Sequence, residues 1–366
     1  MKIVYIASRS LNEIGGIETY MKNLLTELSK KKHDIILYCE GKRFDRKKYN
    51  GFDIIEIPGL KNKFLNKILL GAFATFHSVL FNKEVDIYHY NANAAAITSF
   101  IPRLLGKIVV YQGHGLEWKR AKWSILMQKS IHYLDDFVIY INNNITMVSE
   151  EQSNYILTHY GKHSVTINSG VNIDFVKYDE ALIAKFNLLP EEYILYLGRL
   201  VPEKRADILI EAFLKLEEKN LKLVIAGDDP NETSYINQLK DNSKENINIV
   251  FTGAVFNDEK NALLQHCKIF CIPSELEGLP ITLLEAMSYG KLCIASNIEA
   301  NKEALAECGL YFDVNNSQHL AGVINDSMKN YNMYKYMRNS SIQRIDEKFT
   351  WKIISNKFEE YYNSLL

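Results

Sequence analysis

The sequence predicts an α/β protein made of two successive doubly wound domains. Short apolar runs alternate with amphipathic stretches along the chain. The apolar runs are continuous in Val, Ile and Leu, as expected of parallel strands covered on both faces. The alternation comes in two series within 366 residues, a length that suits two domains of roughly 150–200 residues each better than one core.

The first series of strand-like runs is Ile3–Ala7, Ile35–Tyr38, Ile54–Ile57, Val85–Tyr90, Ile108–Tyr111 and Phe137–Ile141, followed by 144–149 and Val165–Asn168. The second is Tyr193–Leu197, Leu221–Ala226, Ile247–Thr252, Ile269–Ile272 and Leu292–Ala295. Helical periodicity falls between them, over 17–31, 64–81, 205–218, 232–243, 258–266, 280–288 and 317–330. Asn168-Ser169-Gly170-Val171-Asn172 is a turn-rich strand exit and 173–190 is mixed and polar. The expected domains are therefore 1–172 and 173–350. An amphipathic, aromatic C-terminal helix over 351–366 is placed to return to the first domain.

With 47% hydrophobic and 24% charged residues the chain is an ordinary globular one, neither disordered nor fibrous. Its formal net charge is −1, which gives no sign of a nucleic-acid partner. That total hides an asymmetry. Residues 1–172 hold 22 basic and 15 acidic side chains, a net of +7, and the remainder hold 21 and 29, a net of −8. The five cysteines form no paired motif, which fits buried reduced thiols and a cytoplasmic setting. The N-terminal run is too short for a secretion signal. The longest apolar stretch, 68–81, has 14 residues, short of the ~20 a spanning helix needs. The nine histidines are dispersed and there is no Asp-x-Asp, so neither a metal nor another cofactor is expected.

Four motifs fall where a strand gives way to a helix or loop, the place where ligands bind in doubly wound sheets. Gly15-Gly16 precedes the first helix and lets backbone N–H groups approach a phosphate or sugar; a ligand-free helix start is the plainer alternative. Gly113-His114-Gly115 follows the strand 108–111, with a loop histidine bonding a carbonyl as its alternative. Gly198-Arg199-Leu200-Val201-Pro202-Glu203-Lys204-Arg205 puts three cations in one turn. Arg199, Lys204 and Arg205 together suit a diphosphate without a metal. The longest motif runs from Pro273 to Met287. Glu277 lies in the loop, Gly278-Leu279-Pro280-Ile281 opens the helix, and Glu285 sits in its second turn. Two carboxylates flanking an anion nest suit a sugar, a diphosphate and a ribose. Gly253 and Ala254 end another strand and are placed to meet a nucleobase.

Taken together these residues resemble the GT-B glycosyltransferases, specifically the retaining family known as family 4. The resemblance covers nearly the whole chain, through Gly15-Gly16-Ile17-Glu18, His114-Gly115, Val148-Ser149-Glu150, Asn168 to Asn172, Gly198 to Lys204, and Glu277 to Met287. It implies two Rossmann-like domains facing a central cleft, with the nucleotide-sugar donor held by the C-terminal one and the acceptor by the N-terminal one. The catalytic residues it implies are His114, Arg199, Lys204 and Glu277. Arg199 and Lys204 would hold the diphosphate, Glu277 the donor sugar, Glu285 the ribose, and His114 would lie near the anomeric carbon. Gly15, Gly16, Gly198, Gly253, Ala254, Gly278, Leu279, Pro280 and Ile281 complete the donor site. Glu18, Glu117 and Trp118 are the expected acceptor contacts. No metal is needed, because the cations at 199 and 204 take its place. Arg205 stands where the family commonly has glycine, and Ser169 departs from the usual Asn-Gly.

The stretch His114 to Trp123 is similar to a narrower subgroup, bacterial polysaccharide rhamnosyltransferases. A UDP-hexose or UDP-N-acetylhexosamine is the expected donor and dTDP-rhamnose the alternative. The acceptor is expected to be a saccharide or lipid-linked saccharide of a cell-surface polysaccharide, such as a capsule or lipopolysaccharide. A GT-B sugar-nucleotide epimerase and a non-catalytic sugar-nucleotide-binding module are the other readings. Finally, the basic N-terminal half, with cations at 30–32, 42–48, 61–67 and 119–122 beside apolar residues, suits peripheral docking on anionic lipid. A solvated basic face is the alternative.

Overall fold

The computed structural model describes residues 1–7, 10–11, 16–59, 63–115, 118, 124–173, 178–218, 220–243 and 246–366, with the side chains of 63 and 64 left aside. The chain divides into two units, Met1–Gly170 with Trp351–Leu366, and Val171–Thr350.

Unit 1 runs β1 (Lys2–Ala7), α1 (Gly16–Lys30), β2 (Asp34–Gly41), β3 (Asp45–Tyr49), β4 (Phe52–Pro58), α2 (Lys63–Phe81), β5 (Ile87–Asn91), α3 (Phe100–Leu104), β6 (Ile108–Gly113), α4 (Ile125–Ile141), β7 (Asn144–Met147), α5 (Glu150–Tyr160) and β8 (Val165–Thr166). Its eight strands lie in the order β3-β4-β2-β1-β5-β6-β7-β8. All pair in parallel except β3, which returns along β4 as an antiparallel edge closed by Asn50-Gly51, both at positive φ. The register Ile3↔Ile35 and Ile3↔Ile87 places β1 at the centre. Side chains alternate between two cores. Ile3, Tyr5, Leu37, Ile87 and Val110 face α1 and the C-terminal helix Trp351–Leu365. Val4, Ile6, Tyr88, Tyr90 and Val109 face a second layer of α2, the turn 95–98, α4 and α5. Ile354, Phe358 and Tyr362 of the C-terminal helix are 0% exposed, each burial contributing on the order of 2 kcal/mol.

Unit 2 contains α6 (Ala181–Ala184), β9 (Tyr193–Leu197), α7 (Ala206–Phe213), β10 (Lys222–Ala226), α8 (Thr233–Ser243), β11 (Ile249–Gly253), α9 (Asn257–His266), β12 (Ile269–Ile272), α10 (Ile281–Ser288), β13 (Leu292–Ser296), α11 (Glu299–Leu305), β14 (Leu310–Phe312), α12 (Ser317–Lys329) and α13 (Lys335–Lys348). The sheet order is β11-β10-β9-β12-β13-β14, all parallel. The buried faces of α7, α8 and α12 share one core with Ile194 and Tyr196. α10 packs against α9, α11 and α13.

Three expectations are corrected. The run 137–141 is the last turn of α4 and not a strand. Its buried positions, Ile131, Asp135, Val138 and Ile139, follow helical spacing. Phe137 and Tyr140 on its outer side are exposed but apolar, so the run reads as uniformly hydrophobic. The helix expected to 218 ends at Phe213. The unit boundary falls at Gly170, two residues before the expected one, because Val171 already pairs with Thr350 and donates its N–H to the Phe349 carbonyl at 2.7 Å. Gly170 itself packs on Trp351, whose ring would lie 2.7 Å from any Cβ there.

Candidate active site

In unit 2 the chain leaves β9 in one direction through β10 and β11, then returns to place β12 on the other side of β9. That reversal makes a switch point, the usual ligand crevice of an open parallel sheet. The loops after β9 and β12 meet there. The Glu275 N–H donates to the Glu203 carbonyl at 3.0 Å. Lys204 Nζ lies 2.5 Å from Glu277 Oε1, an ion contact off the alignment of a hydrogen bond, with the two side chains 20% and 7% exposed. Tyr196, buried in β9, donates its hydroxyl to the Arg199 carbonyl at 2.8 Å and so fixes the loop that carries Arg199. The Arg199 guanidinium is 45% exposed and touches Asp229 at 3.5 Å, a loose contact that leaves most of its donors available. Gly198 receives its backbone support from the Ala226 carbonyl. Gly227 is needed beside it, since a Cβ there would stand 1.8 Å from the Gly198 oxygen.

α10 begins at Ile281, directly after Pro280. Its first amides have no partner inside the helix and carry the positive end of the helix dipole. Gly278 and Leu279 precede it in the same loop. Glu285, the fifth residue of α10, pairs with Lys260 of α9 at 2.5 Å. The two carboxylates expected from the sequence are therefore held by two different lysines. Gly253 ends β11 with φ +71, accepts from the Gly227 N–H at 2.9 Å, and leaves Ala254 exposed. Two buried polar atoms of these loops, Glu203 Oε2 and Ser274 Oγ, have no hydrogen-bond partner among the described residues, a capacity for a further polar contact.

The expected trio of cations is corrected to two. Arg205 turns away and binds Asp207, Glu275 and Asn315. Its φ is +52, the left-handed region that favours glycine.

In unit 1, His114 follows β6. Its Nε2 contacts the Asn91 side-chain oxygen at the end of β5, and the edge of Tyr20 from α1 meets its ring at 4.9 Å. Burial lowers the His114 pKa to about 4, so the ring is neutral at pH 7. With the Asn91 oxygen as acceptor, Nε2 carries the proton and Nδ1 the lone pair. Tyr20 is held in turn by the Gln112 side chain at 2.7 Å, Gln112 by His89, and His89 by Tyr362 of the C-terminal helix at 2.8 Å. Gly16 is the exposed first residue of α1 and Glu18 is buried two residues on. Trp118 stacks on His132 of α4 at 4.4 Å. Gly15 and Glu117 lie outside the described residues, as does most of the 116–123 stretch.

Sequence reasoning missed Lys260, Asp229, Tyr196, Asn91 and Tyr20. Asn91 had a signal, a polar residue ending a buried strand; Lys260 had none, being brought to Glu285 only by the fold. All five cysteines are buried and form no disulfide. Among the described residues no group of three His, Cys, Asp or Glu could hold a metal, and no helix is long and apolar enough to cross a membrane.

Two α/β units, each on a largely parallel sheet, are the architecture of the GT-B class. The sequence family described as Glycosyltransferase Family 4 matches residues 14–175, and Glycosyl transferases group 1 matches 179–344. An uncharacterized glycosyltransferase of Methanocaldococcus jannaschii is 23% identical over 93% of this chain and 92% of its own. An O-antigen biosynthesis glycosyltransferase of Escherichia coli is 26% identical over 100% and 99%. The alpha-monoglucosyldiacylglycerol synthase of Streptococcus pneumoniae is 24% identical over 98% and 88%. Among solved structures, the sucrose-phosphate synthase of Thermosynechococcus elongatus superposes with a TM-score of 0.84 at 18% identity, covering 100% of this chain and 98% of its own. Anabaena HepE, solved with UDP and glucose, superposes with 0.79 at 17%, covering 100% of both chains. The chain is a GT-B glycosyltransferase, and its two halves belong to the two families they match.

Proposed function

We propose that the enzyme moves a hexose, with retention of configuration and without a metal, from a nucleotide-sugar to a saccharide or lipid-linked saccharide of the cell surface. The observation that carries this reading is the Lys204–Glu277 contact with Arg199 at the switch point of unit 2, beside the start of α10. Two cations and a helix N-terminus suit a diphosphate, and a carboxylate locked by Lys204 suits sugar hydroxyls. Glu285, oriented by Lys260, would accept from the ribose hydroxyls, and Gly253-Ala254 would meet the base.

In the proposed reaction the bond between the anomeric carbon and the diphosphate oxygen breaks. The acceptor oxygen bonds to that carbon from the same face, and its proton passes to the departing phosphate oxygen. Arg199, Lys204 and the α10 amides stabilise the negative charge that develops there. His114, neutral, offers a hydrogen-bonding nitrogen to the transferred sugar. Glu18, Glu117 and Trp118 are the proposed acceptor contacts, with Trp118 committed by its stacking on His132 to a fixed orientation.

UDP is the favoured nucleotide, in keeping with the UDP bound by HepE. A lipid-linked acceptor is in keeping with the diacylglycerol in the name of the pneumococcal relative. Mannose is a second donor to test, because the similar O-antigen chain mannosyltransferase C of Escherichia coli is 26% identical over 77% of this chain. The alternative of dTDP-rhamnose is tested in the same assay. Purified enzyme is incubated with EDTA and each of UDP-, GDP- and dTDP-sugars, with and without acceptor. Transfer that persists in EDTA and is lost in Lys204→Ala and Glu285→Ala supports the reading. Conversion of the donor without acceptor would make the enzyme an epimerase, and unchanged turnover in both variants would remove the assigned site.

A further inference from the structure

We infer that the outer surface of α2, α3 and α4 in unit 1 is a docking face for an anionic lipid bilayer. These helices belong to the layer that covers one side of the sheet. Leu70 and Ala74 of α2, Ala95 and Ala96 of the turn before α3, and Val138 and Ile139 of α4 share one core under it. The turn 95–98 contacts both α2 and α4, so the segments are neighbours. The residues turned away from that core would ordinarily be mostly polar, and here many are large and apolar. Leu80, Phe81, Leu104, Leu126, Tyr133 and Tyr140 are between 67% and 81% exposed. A soluble monomer rarely shows so much apolar surface on one face.

Charge selects the occupant. The exposed cations among these residues are Arg103 and Lys129, with Lys67 and Lys107 half-exposed. No acidic residue occurs in α2 or α3. The two of α4 are occupied: Asp135 is buried against the Asn93 side chain, and Asp136 accepts from Tyr160 at 2.6 Å. Tyr and Phe beside Lys and Arg are what the boundary between lipid headgroups and acyl chains accommodates, with the long cationic stems reaching back to the headgroups. A second copy of the chain is a poorer occupant, because a symmetric contact would set these cations against themselves.

Of the basic clusters expected from the sequence to face lipid, that at 61–67 borders α2 on this face, and that at 119–122 lies outside the described residues. Lys30 pairs with Glu27, Lys31 with Glu359, Arg46 with Asp53 and Lys47 with Glu56. These four cations have their countercharges, and α1 with the C-terminal helix covers the other side of the sheet.

The inference does not depend on which sugar is moved, and its test is separate from turnover. Full-length protein is floated with phosphatidylcholine vesicles, with and without phosphatidylglycerol, at low and high salt. The expected result is binding that needs phosphatidylglycerol and weakens with salt. Leu126→Ser with Tyr133→Ser, and independently Phe76→Ser with Phe81→Ser, should each lower the bound fraction at least about tenfold. Lys129→Glu should lower it less, and Lys352→Glu on the C-terminal helix should leave it unchanged. Thermal melting and transfer to a water-soluble acceptor establish that each variant is folded. Two results would overturn the inference. One is binding absent or indifferent to phosphatidylglycerol. The other is a self-association, seen by sedimentation without vesicles, that the same serine variants abolish.

Discussion

The two units present opposite chemistry at the ends of their strands. In unit 2 the candidate site is charged: Lys204 against Glu277, Lys260 against Glu285, and Arg199 loosely against Asp229. Around His114 in unit 1 it is neutral: Asn91 and Tyr20 meet the ring, supported by Gln112, His89 and Tyr362. The difference suits what each half is proposed to bind. A diphosphate brings charge that only cations and helix amides can meet, and a lysine paired in advance is already oriented for it. A sugar and its hydroxyls bring none, and a neutral imidazole can meet them without a countercharge. In bulk the two units differ in the sign of their charge and not in its presence. Residues 1–170 with 351–366 hold 24 basic and 17 acidic side chains, and 171–350 hold 19 and 27.

Lys204→Ala should break the comparison most severely. It removes a phosphate-binding cation and leaves Glu277, 7% exposed, without its countercharge. We expect kcat/KM to fall about 10³-fold and stability by ~3 kcal/mol, read by steady-state kinetics and denaturant unfolding. Lys204→Arg should recover part of the stability and less of the rate.

His114→Ala should cost about 10²-fold in kcat with little change in donor KM, if the ring acts on the transferred sugar rather than on the nucleotide. Glu285→Gln should do the reverse, raising donor KM about tenfold through a weakened ribose contact while kcat holds.

The histidines of unit 1 carry a pH signature. Burial holds His89 down to about 3 and His114 to about 4, against 6.5 for an exposed histidine. The unfolded chain then binds protons that the folded one refuses. Stability is complete above 6.5, falls as the pH drops from there toward 3–4, and levels off below. The loss should be on the order of a few kcal/mol, and His89→Leu should flatten it. An unfolding midpoint followed against pH reads this directly. The smallest effect is expected at Tyr196→Phe, which removes only the hydrogen bond to the Arg199 carbonyl and should cost ~1 kcal/mol in unfolding free energy and a few-fold in rate.

What could be read in the sequence follows the same divide. The motifs of unit 2 lie within short contiguous stretches, 198–205 and 273–287, so spacing alone placed Lys204, Glu277 and Glu285 near helix starts. The neutral site of unit 1 draws on α1, β5 and β6, and only His114 of its three residues sits in a motif. Long-range pairing hid Lys260 in the same way. Among the elements, β3 was missed because Asp45-Arg46-Lys47-Lys48-Tyr49 is a charged edge with no apolar face, although Asn50-Gly51 after it is a hairpin signal. α13 was missed because it buries only Ser341 and Ile345. The end of α4 was misread for the opposite reason, being apolar on its exposed side as well as its buried one.

Calorimetric titration of UDP, GDP and dTDP in EDTA, into the wild type, Lys204→Ala and His114→Ala, tests the division of labour most directly. The account predicts that one nucleoside diphosphate binds the wild type without metal. It also predicts that Lys204→Ala weakens this binding at least about thirtyfold, some 2 kcal/mol, and that His114→Ala leaves it unchanged. Binding that is lost in EDTA, or that suffers as much from His114→Ala as from Lys204→Ala, would contradict it.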